Sequence, residues 1–218
     1  MLSTIGLVVA CIAVATGCAA EPSPGPTTDA TPTAQASPAP SSDAGAQPLG
    51  SAWPEPPQSE VVGLGTVRDA EDAVVLCLGA VSETSEPPLC GGHAIEGWDW
   101  TEVRDVRGGE GARWGTYIVR GTWDGEQMTV TQTPVPISLS GLPPVEQPAA
   151  AGETSDERLR EVMTEVAERL GTRMTSTYTD RGYVWVKVPW DDGTLQAAAD
   201  AEYGPDVVRV ISALEEVV

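Results

Sequence analysis

A proline-rich segment limits which part of this chain can form a core. Residues 21–58 hold ten of the 19 prolines, and most of the remaining side chains are Ala, Ser, Thr, Gly, Asp or Gln. Such a composition buries too little apolar surface to offset the entropy of ordering the backbone. We therefore predict a disordered, extended and partly polyproline II linker at residues 18–58, so that folded domains begin at Ser59.

The charge of the chain excludes one class of partner. Its 218 residues include 32 acidic and 12 basic side chains, which gives a net charge of −20. Binding to nucleic acid requires a basic face, so we expect no nucleic-acid partner. Adsorption of the side chains to an anionic bilayer is disfavoured for the same reason. The acids are typical of a solvated surface that keeps an exported protein soluble.

The N-terminal residues indicate export. Residues 1–17 carry no charge, and residues 5–14 form an apolar run of about ten residues, the length of a signal-peptide core. A membrane-spanning helix needs about 20 apolar residues. We therefore predict a signal peptide at residues 1–17.

The four residues Ala15-Thr16-Gly17-Cys18 end this run. They resemble the lipobox of bacterial lipoproteins, in which small residues precede a cysteine. The resemblance implies cleavage after Gly17, acylation of the Cys18 thiol and attachment to the outer face of the cell membrane, because a pair of acyl chains anchors firmly. The alternative is an ordinary secretory signal, in which Cys18 is incidental.

The segment 59–135 is predicted to be a small β domain. Apolar or alternating runs indicate strands, and a turn at Asp124 to Glu126 joins the last two as a hairpin. Residues 97–106 are compatible with a short helix or an irregular crossing. The fold we expect is a small OB-like β-barrel, with a sandwich as the alternative. The predicted strands are 61–67, 73–81, 113–123 and 128–133.

Cys77 and Cys90 are the two cysteines of this domain. In an exported protein such a pair predicts a disulfide, and closing a loop of this size is worth about 3 kcal/mol. The alternative is a metal site that adds His93, the one histidine of the chain.

Trp98, Asp99 and Trp100 form the most ligand-like stretch. Indoles beside a carboxylate can build a sugar platform, where ring faces stack on C–H surfaces and the acid binds hydroxyls. The alternative is that the tryptophans fill the core of a domain without phenylalanine and that Asp99 caps a turn.

A second linker is predicted at residues 136–153, in which Ile137 and Leu139 could still pack as a strand. The segment 154–218 then begins with a helix, with Thr154 and Glu157 as a capping box and an apolar face that ends before Gly171. Two strands, a helix at 194–203 and a last strand follow, which predicts an αββαβ sandwich and an α+β protein overall. This order is similar to the BON domain of bacterial envelope proteins, and the resemblance implies binding rather than catalysis.

Familiar catalytic motifs do not occur in the sequence. It has one histidine, no Gly-x-Ser-x-Gly elbow, and neither a phosphate loop nor a dinucleotide fingerprint. We therefore expect a non-catalytic, lipid-anchored envelope protein that binds a protein or cell-wall partner and needs no metal or cofactor. The alternative is a glycan or small-ligand receptor that uses Trp98, Asp99 and Trp100.

Overall fold

The computed structural model describes residues 47–70, 73–82, 84–109, 111–137 and 150–217. Over these ranges the protein is mixed α+β, made mostly of strands with two α-helices. The predicted signal peptide, Cys18, Leu139 and the linker up to residue 46 lie outside the described residues. Neither helix in the described part of the chain is long and apolar enough to cross a membrane.

Five strands close into a β-barrel. The strands of this part are β1 Val61–Ala70, β2 Ala73–Cys77, β3 His93–Glu96, β4 Trp114–Trp123, β5 Gln127–Val130 and β6 Val135–Pro136. β1 pairs with β2, β2 with β3, and β3 runs parallel to β5. β5 pairs with β4, and β4 returns to β1 in a long antiparallel register from Val61–Gly121 to Arg68–Trp114. The closed barrel decides against the sandwich.

The barrel core is filled from several strands and from the crossing between β3 and β4. Tyr117 at its centre is fully buried and donates its hydroxyl hydrogen to the carbonyl oxygen of Arg104 at 3.0 Å. Residues 97–106 form turns and bends, so they are an irregular crossing rather than a helix. The main buried residues are Val61, Val67, Leu76, Leu78, Trp100, Val103, Tyr117, Val119, Trp123 and Met128.

A second, three-stranded sheet carries both helices on one face. Its elements are α1 Asp156–Leu170, β7 Ser176–Asp180, β8 Tyr183–Val188, α2 Thr194–Tyr203 and β9 Val208–Ser212. Its strand order is β7-β8-β9, with β7 antiparallel and β9 parallel to the central β8. Val184, Val186 and Val188 of β8 are buried against the helices, because alternate residues of a strand point to the same face.

The start of α1 differs by one residue from the predicted capping box. The N-cap is Ser155, whose hydroxyl oxygen accepts from the backbone N–H of Arg158 at 3.4 Å. The residue three positions on is therefore an arginine, which cannot accept the N-cap N–H as a glutamate would. The predicted box at Thr154 and Glu157 is wrong, and Gly171, with φ +53°, ends the helix as expected.

The C-terminal strand joins the two sheets. β10, Leu214–Glu216, follows β9 but pairs with the start of β1, and Leu214 is fully buried in the barrel core. Leu214 packs so closely on Gly63 that a Cβ there would lie 2.5 Å from its Cδ2. The prediction assigned these residues to the second region, whereas they complete the first.

The ordered chain also begins before Ser59, where the linker was predicted to end. Leu49–Ser51 is a turn of 3-10 helix, and both Leu49 and Ala52 are buried against the helices of the second sheet. The disorder prediction is wrong for these last linker residues. Their few apolar side chains find a surface supplied by distant elements, which composition alone does not reveal.

Candidate functional site

A groove of about 380 Å³ lies where the barrel, the second sheet layer and the N-terminal segment meet. Three tryptophans, Trp53, Trp123 and Trp190, line it together with His93. Glu126, Thr172 and Arg173 add polar groups, and we call this site the aromatic groove. Its volume is in the range of small-molecule sites.

The N-terminal wall of the groove is Trp53. Its side chain is 67% exposed, yet its ring stacks on the guanidinium of Arg173, with 4.5 Å between the ring centroid and Cζ. The Arg173 guanidinium also donates to the carbonyl oxygens of Ala52 at 2.7 Å and Gly50 at 2.8 Å. An exposed indole is thus held in place by a side chain from the 3-10 turn Gly171–Arg173, which follows α1.

Two further hydrogen bonds hold the residues after Trp53. Trp190 Nε1 donates to the carbonyl oxygen of Glu55 at 2.8 Å. The Glu55 N–H donates to Asp192 Oδ2 at 3.0 Å. The segment that forms this wall is therefore fixed to the second layer on both sides of Pro54.

The barrel wall is built by the hairpin of β4 and β5 and by the start of β3. His93 packs edge-to-face on Trp123, with ring centroids 5.2 Å apart and an angle of 80°. In the hairpin turn, Asp124 Oδ1 accepts from the N–H groups of Glu126 at 2.9 Å and Gln127 at 2.7 Å. Gly125, with φ +106°, supplies the turn conformation that exposes Glu126 at the groove rim.

The groove places one cation and one carboxylate in an aromatic lining. Burial lowers the pKa of Arg173, which remains a cation at neutral pH. Within the described residues its guanidinium has four acceptors, and all are backbone carbonyl oxygens. None of the ion pairs found among the described residues includes Arg173. Burial also lowers the pKa of His93, against the opposing effect of a hydrogen bond to the Glu126 backbone, so His93 is neutral at pH 7.

The cysteine pair lies beside the barrel wall. Cys77 and Cys90 are at disulfide distance, with 5.9 Å between their Cα atoms. Leu76, next to Cys77, pairs with His93 across β2 and β3, so the cross-link holds the start of β3. In the described ranges no cluster of three or more His, Cys, Asp or Glu residues is arranged for a metal ion.

Trp98, Asp99 and Trp100 lie away from the lining of the groove. Trp100 is buried and donates from Nε1 to Asp69 Oδ1 at 2.8 Å, and Trp98 packs edge-to-face on it. Asp99 accepts from the N–H and the hydroxyl of Thr101, and these bonds lower its pKa. This geometry favours the packing interpretation, and ligand binding by the three residues stays a prediction.

Sequence reasoning missed most of the groove. It placed Trp53 in the linker, considered His93 as a metal ligand and as a neighbour of the Trp98 to Trp100 stretch, and gave no role to Arg173 or Trp190. The one available indication was a lone tryptophan near the end of a segment, 21–58, that holds no other aromatic residue.

Comparisons of this chain with known proteins identify no related protein. The chain matches no family model, no curated protein and no solved structure. Function is therefore argued from the chemistry of the groove itself.

Proposed function

We propose that this chain is an exported, lipid-anchored, non-catalytic binding protein whose partner enters the aromatic groove. The observation that carries the proposal is Trp53, a mostly exposed indole clamped by Arg173 at the mouth of a groove that three parts of the chain build. Rigid, accessible tryptophans of this kind are the residues that dominate binding energies.

Export and anchoring are supported by two independent features. The apolar residues 5–14 and the lipobox-like Ala15-Thr16-Gly17-Cys18 favour a lipidated N-terminus on the outer face of the cell membrane. A cysteine pair at disulfide distance fits an oxidising compartment. The prolines that follow Cys18 would hold the groove away from the membrane surface.

A binding role rather than catalysis is supported by how the polar groups of the groove are used. The Arg173 guanidinium is directed at backbone carbonyls, and His93 at the Glu126 backbone. Two finer fold assignments belong to the same proposal. The closure of the barrel through the parallel pair β3 and β5 supports an OB-like barrel, and the order of elements from α1 to β9 supports a BON-like second layer.

The anchor is tested by the intact mass of the protein extracted from native membranes, beside a Cys18→Ser variant. We expect a chain that starts at Cys18 with added acyl mass, and a variant that is released from the membrane. Reduction should add the mass of two hydrogens, from Cys77 and Cys90. An unmodified wild-type chain in the medium would contradict the anchor.

The groove is tested by placing a photoreactive amino acid at Glu126 and, as the matched control, at Tyr178. Tyr178 is an exposed aromatic residue on the edge strand β7, away from the groove lining. We expect cross-links to an envelope component from position 126 and not from position 178. Equal labelling from both positions would count against the groove as the binding site.

A further inference from the structure

We propose that the ligand of the aromatic groove is an uncharged saccharide. This inference rests on the proposed function and names the chemical class that the groove would accept. It is carried by the balance of charge in the groove, by the exposed indole of Trp53 and by the polar residues that line the same groove.

The charged side chains of the groove, Arg173 and Glu126, have opposite signs, so the lining does not select for an ion of either sign. A cationic ligand would meet the half-buried guanidinium of Arg173, which has no carboxylate partner among the described residues. An anionic ligand would meet Glu126 at the rim and approach a chain of net charge −20. A ligand without net charge avoids both penalties.

The aromatic lining suits a ring with a C–H face. The guanidinium of Arg173 stacks on the Trp53 ring, while 67% of the Trp53 surface stays accessible to a second flat partner. The axial C–H groups of a pyranose ring provide such a partner, because an indole face carries negative charge density and attracts polarised hydrogens. A volume of about 380 Å³ accommodates one or two sugar rings.

The polar groups of the groove exclude a purely hydrocarbon ligand. His93, Glu126 and Thr172 all line the same groove, and each carries a polar side chain. A hydrocarbon would make no hydrogen bond to any of them, whereas sugar hydroxyls can both donate and accept. Saccharide chemistry satisfies the aromatic and the polar halves of the lining together.

A proline-rich peptide is the main competing occupant, since aromatic grooves bind polyproline II segments through an indole N–H. Here the Trp190 Nε1–H already donates to the carbonyl oxygen of Glu55, in the protein's own Trp53-Pro54-Glu55-Pro56 segment. That donor is therefore occupied by the chain itself, which leaves a peptide one indole N–H fewer to bind.

The experiment uses the exported full chain and two matched pairs of oligosaccharides, with binding followed by titration calorimetry and tryptophan fluorescence. One pair is the tetramer of N-acetylglucosamine and its cationic deacetylated form. The other is the tetramer of galactose and its anionic uronic-acid form. We expect at least one neutral tetramer to bind about tenfold or more tightly than its charged counterpart.

Two variants connect binding to the groove. Trp53→Ala should weaken the neutral ligand about tenfold, whereas the matched exposed-aromatic control Tyr178→Ala should leave its affinity unchanged. Glu126→Gln should improve binding of the anionic tetramer, because it removes the carboxylate at the rim.

Three outcomes would overturn the inference. They are charged tetramers that bind as tightly as neutral ones, neutral binding that survives Trp53→Ala, and no binding of either neutral tetramer, whether or not a proline-rich peptide binds. The proposed function is tested separately, because cross-linking at Glu126 to a protein partner would support the groove while the saccharide inference fails.

Discussion

Among single residues, Asp69 shows most clearly how a charged side chain is tolerated inside the barrel. It is nearly buried, and its carboxylate accepts from Trp100 Nε1 at 2.8 Å, from Arg113 Nε at 3.0 Å and from the Arg113 N–H at 3.1 Å. Burial acts to raise the pKa of Asp69, but the hydrogen bonds from Arg113 and Trp100 outweigh it, and the net shift is downward. The ionised form is therefore the one that the fold stabilises.

We expect Asp69→Ala to lower the free energy of unfolding by about 1–3 kcal/mol, because the buried Trp100 Nε1–H and two half-buried donors of Arg113 lose their acceptor. Urea denaturation at neutral pH measures this loss. The matched control is the exposed Glu102, which lies on the same crossing between β3 and β4 as Trp100. Glu102→Ala should change the free energy of unfolding by less than about 0.5 kcal/mol. Equal effects of the two substitutions would contradict the role of the network.

The same network predicts a pH dependence. A carboxylate whose folded pKa lies below its unfolded value of about 4 stabilises the fold fully above that value, and the contribution disappears as pH falls through the folded pKa. The advantage of wild type over Asp69→Asn should therefore be constant near neutral pH and shrink below about pH 4. An advantage that grows on acidification would contradict the assigned direction.

The partner of a residue could be predicted from the sequence where few candidates exist. The pairing of Cys77 with Cys90 follows from their being the two cysteines after the N-terminal segment, and they lie at disulfide distance. The partners of Asp69 could not be predicted, because Trp100 and Arg113 approach it only once the barrel has closed. A lone aspartate near the end of a predicted strand carries no sign of them.

At the scale of elements, the N-cap of α1 allows the effect of a single substitution to be predicted. Ser155→Ala should destabilise the protein by about 1 kcal/mol, because the Arg158 N–H loses the Ser155 hydroxyl. The preceding Thr154→Ala is the matched control and should have little effect, since Thr154 lies outside the cap. Thermal unfolding of the two variants measures both, and a larger loss for Thr154→Ala would restore the original capping box.

Element prediction succeeded where the information was local to the segment. The helix at 194–203 has the predicted bounds, because its apolar spacing and the following Gly204 lie within a few residues of one another. The short strands β3, β6 and β10 are defined instead by distant partners, such as β1 for β10. Two to four residues contain too few alternations to indicate a strand, so pairing alone identifies them.

At the scale of the whole molecule, the groove is a product of long-range assembly. Arg173 binds the backbone of Gly50 across a sequence separation of 123 residues, and Trp190 binds Glu55 across 135. Composition described residues 47–58 correctly as poor in apolar side chains. It could not show that Leu49, Ala52 and Trp53 would find a surface on the second layer.

The C-terminal strand predicts that the barrel and the second layer unfold together. Leu214 lies two residues after the end of β9 and is fully buried in the barrel core, so Leu214→Ala should cost about 2–5 kcal/mol. Backbone amide hydrogen exchange, followed for β1 and β4 of the barrel and for α1 and α2 of the second layer, should report one shared, lowered transition.

The exposed neighbour Glu215 supplies the control, and Glu215→Ala should leave the transition within about 0.5 kcal/mol of wild type. Loss of the barrel signal in Leu214→Ala at a denaturant concentration that leaves the helical signal intact would show two independent units. That result would also separate the walls of the aromatic groove, since His93 and Trp123 belong to the barrel and Thr172 and Arg173 follow α1 of the other layer. A single transition would instead mean that the strand following β9 keeps both walls in register.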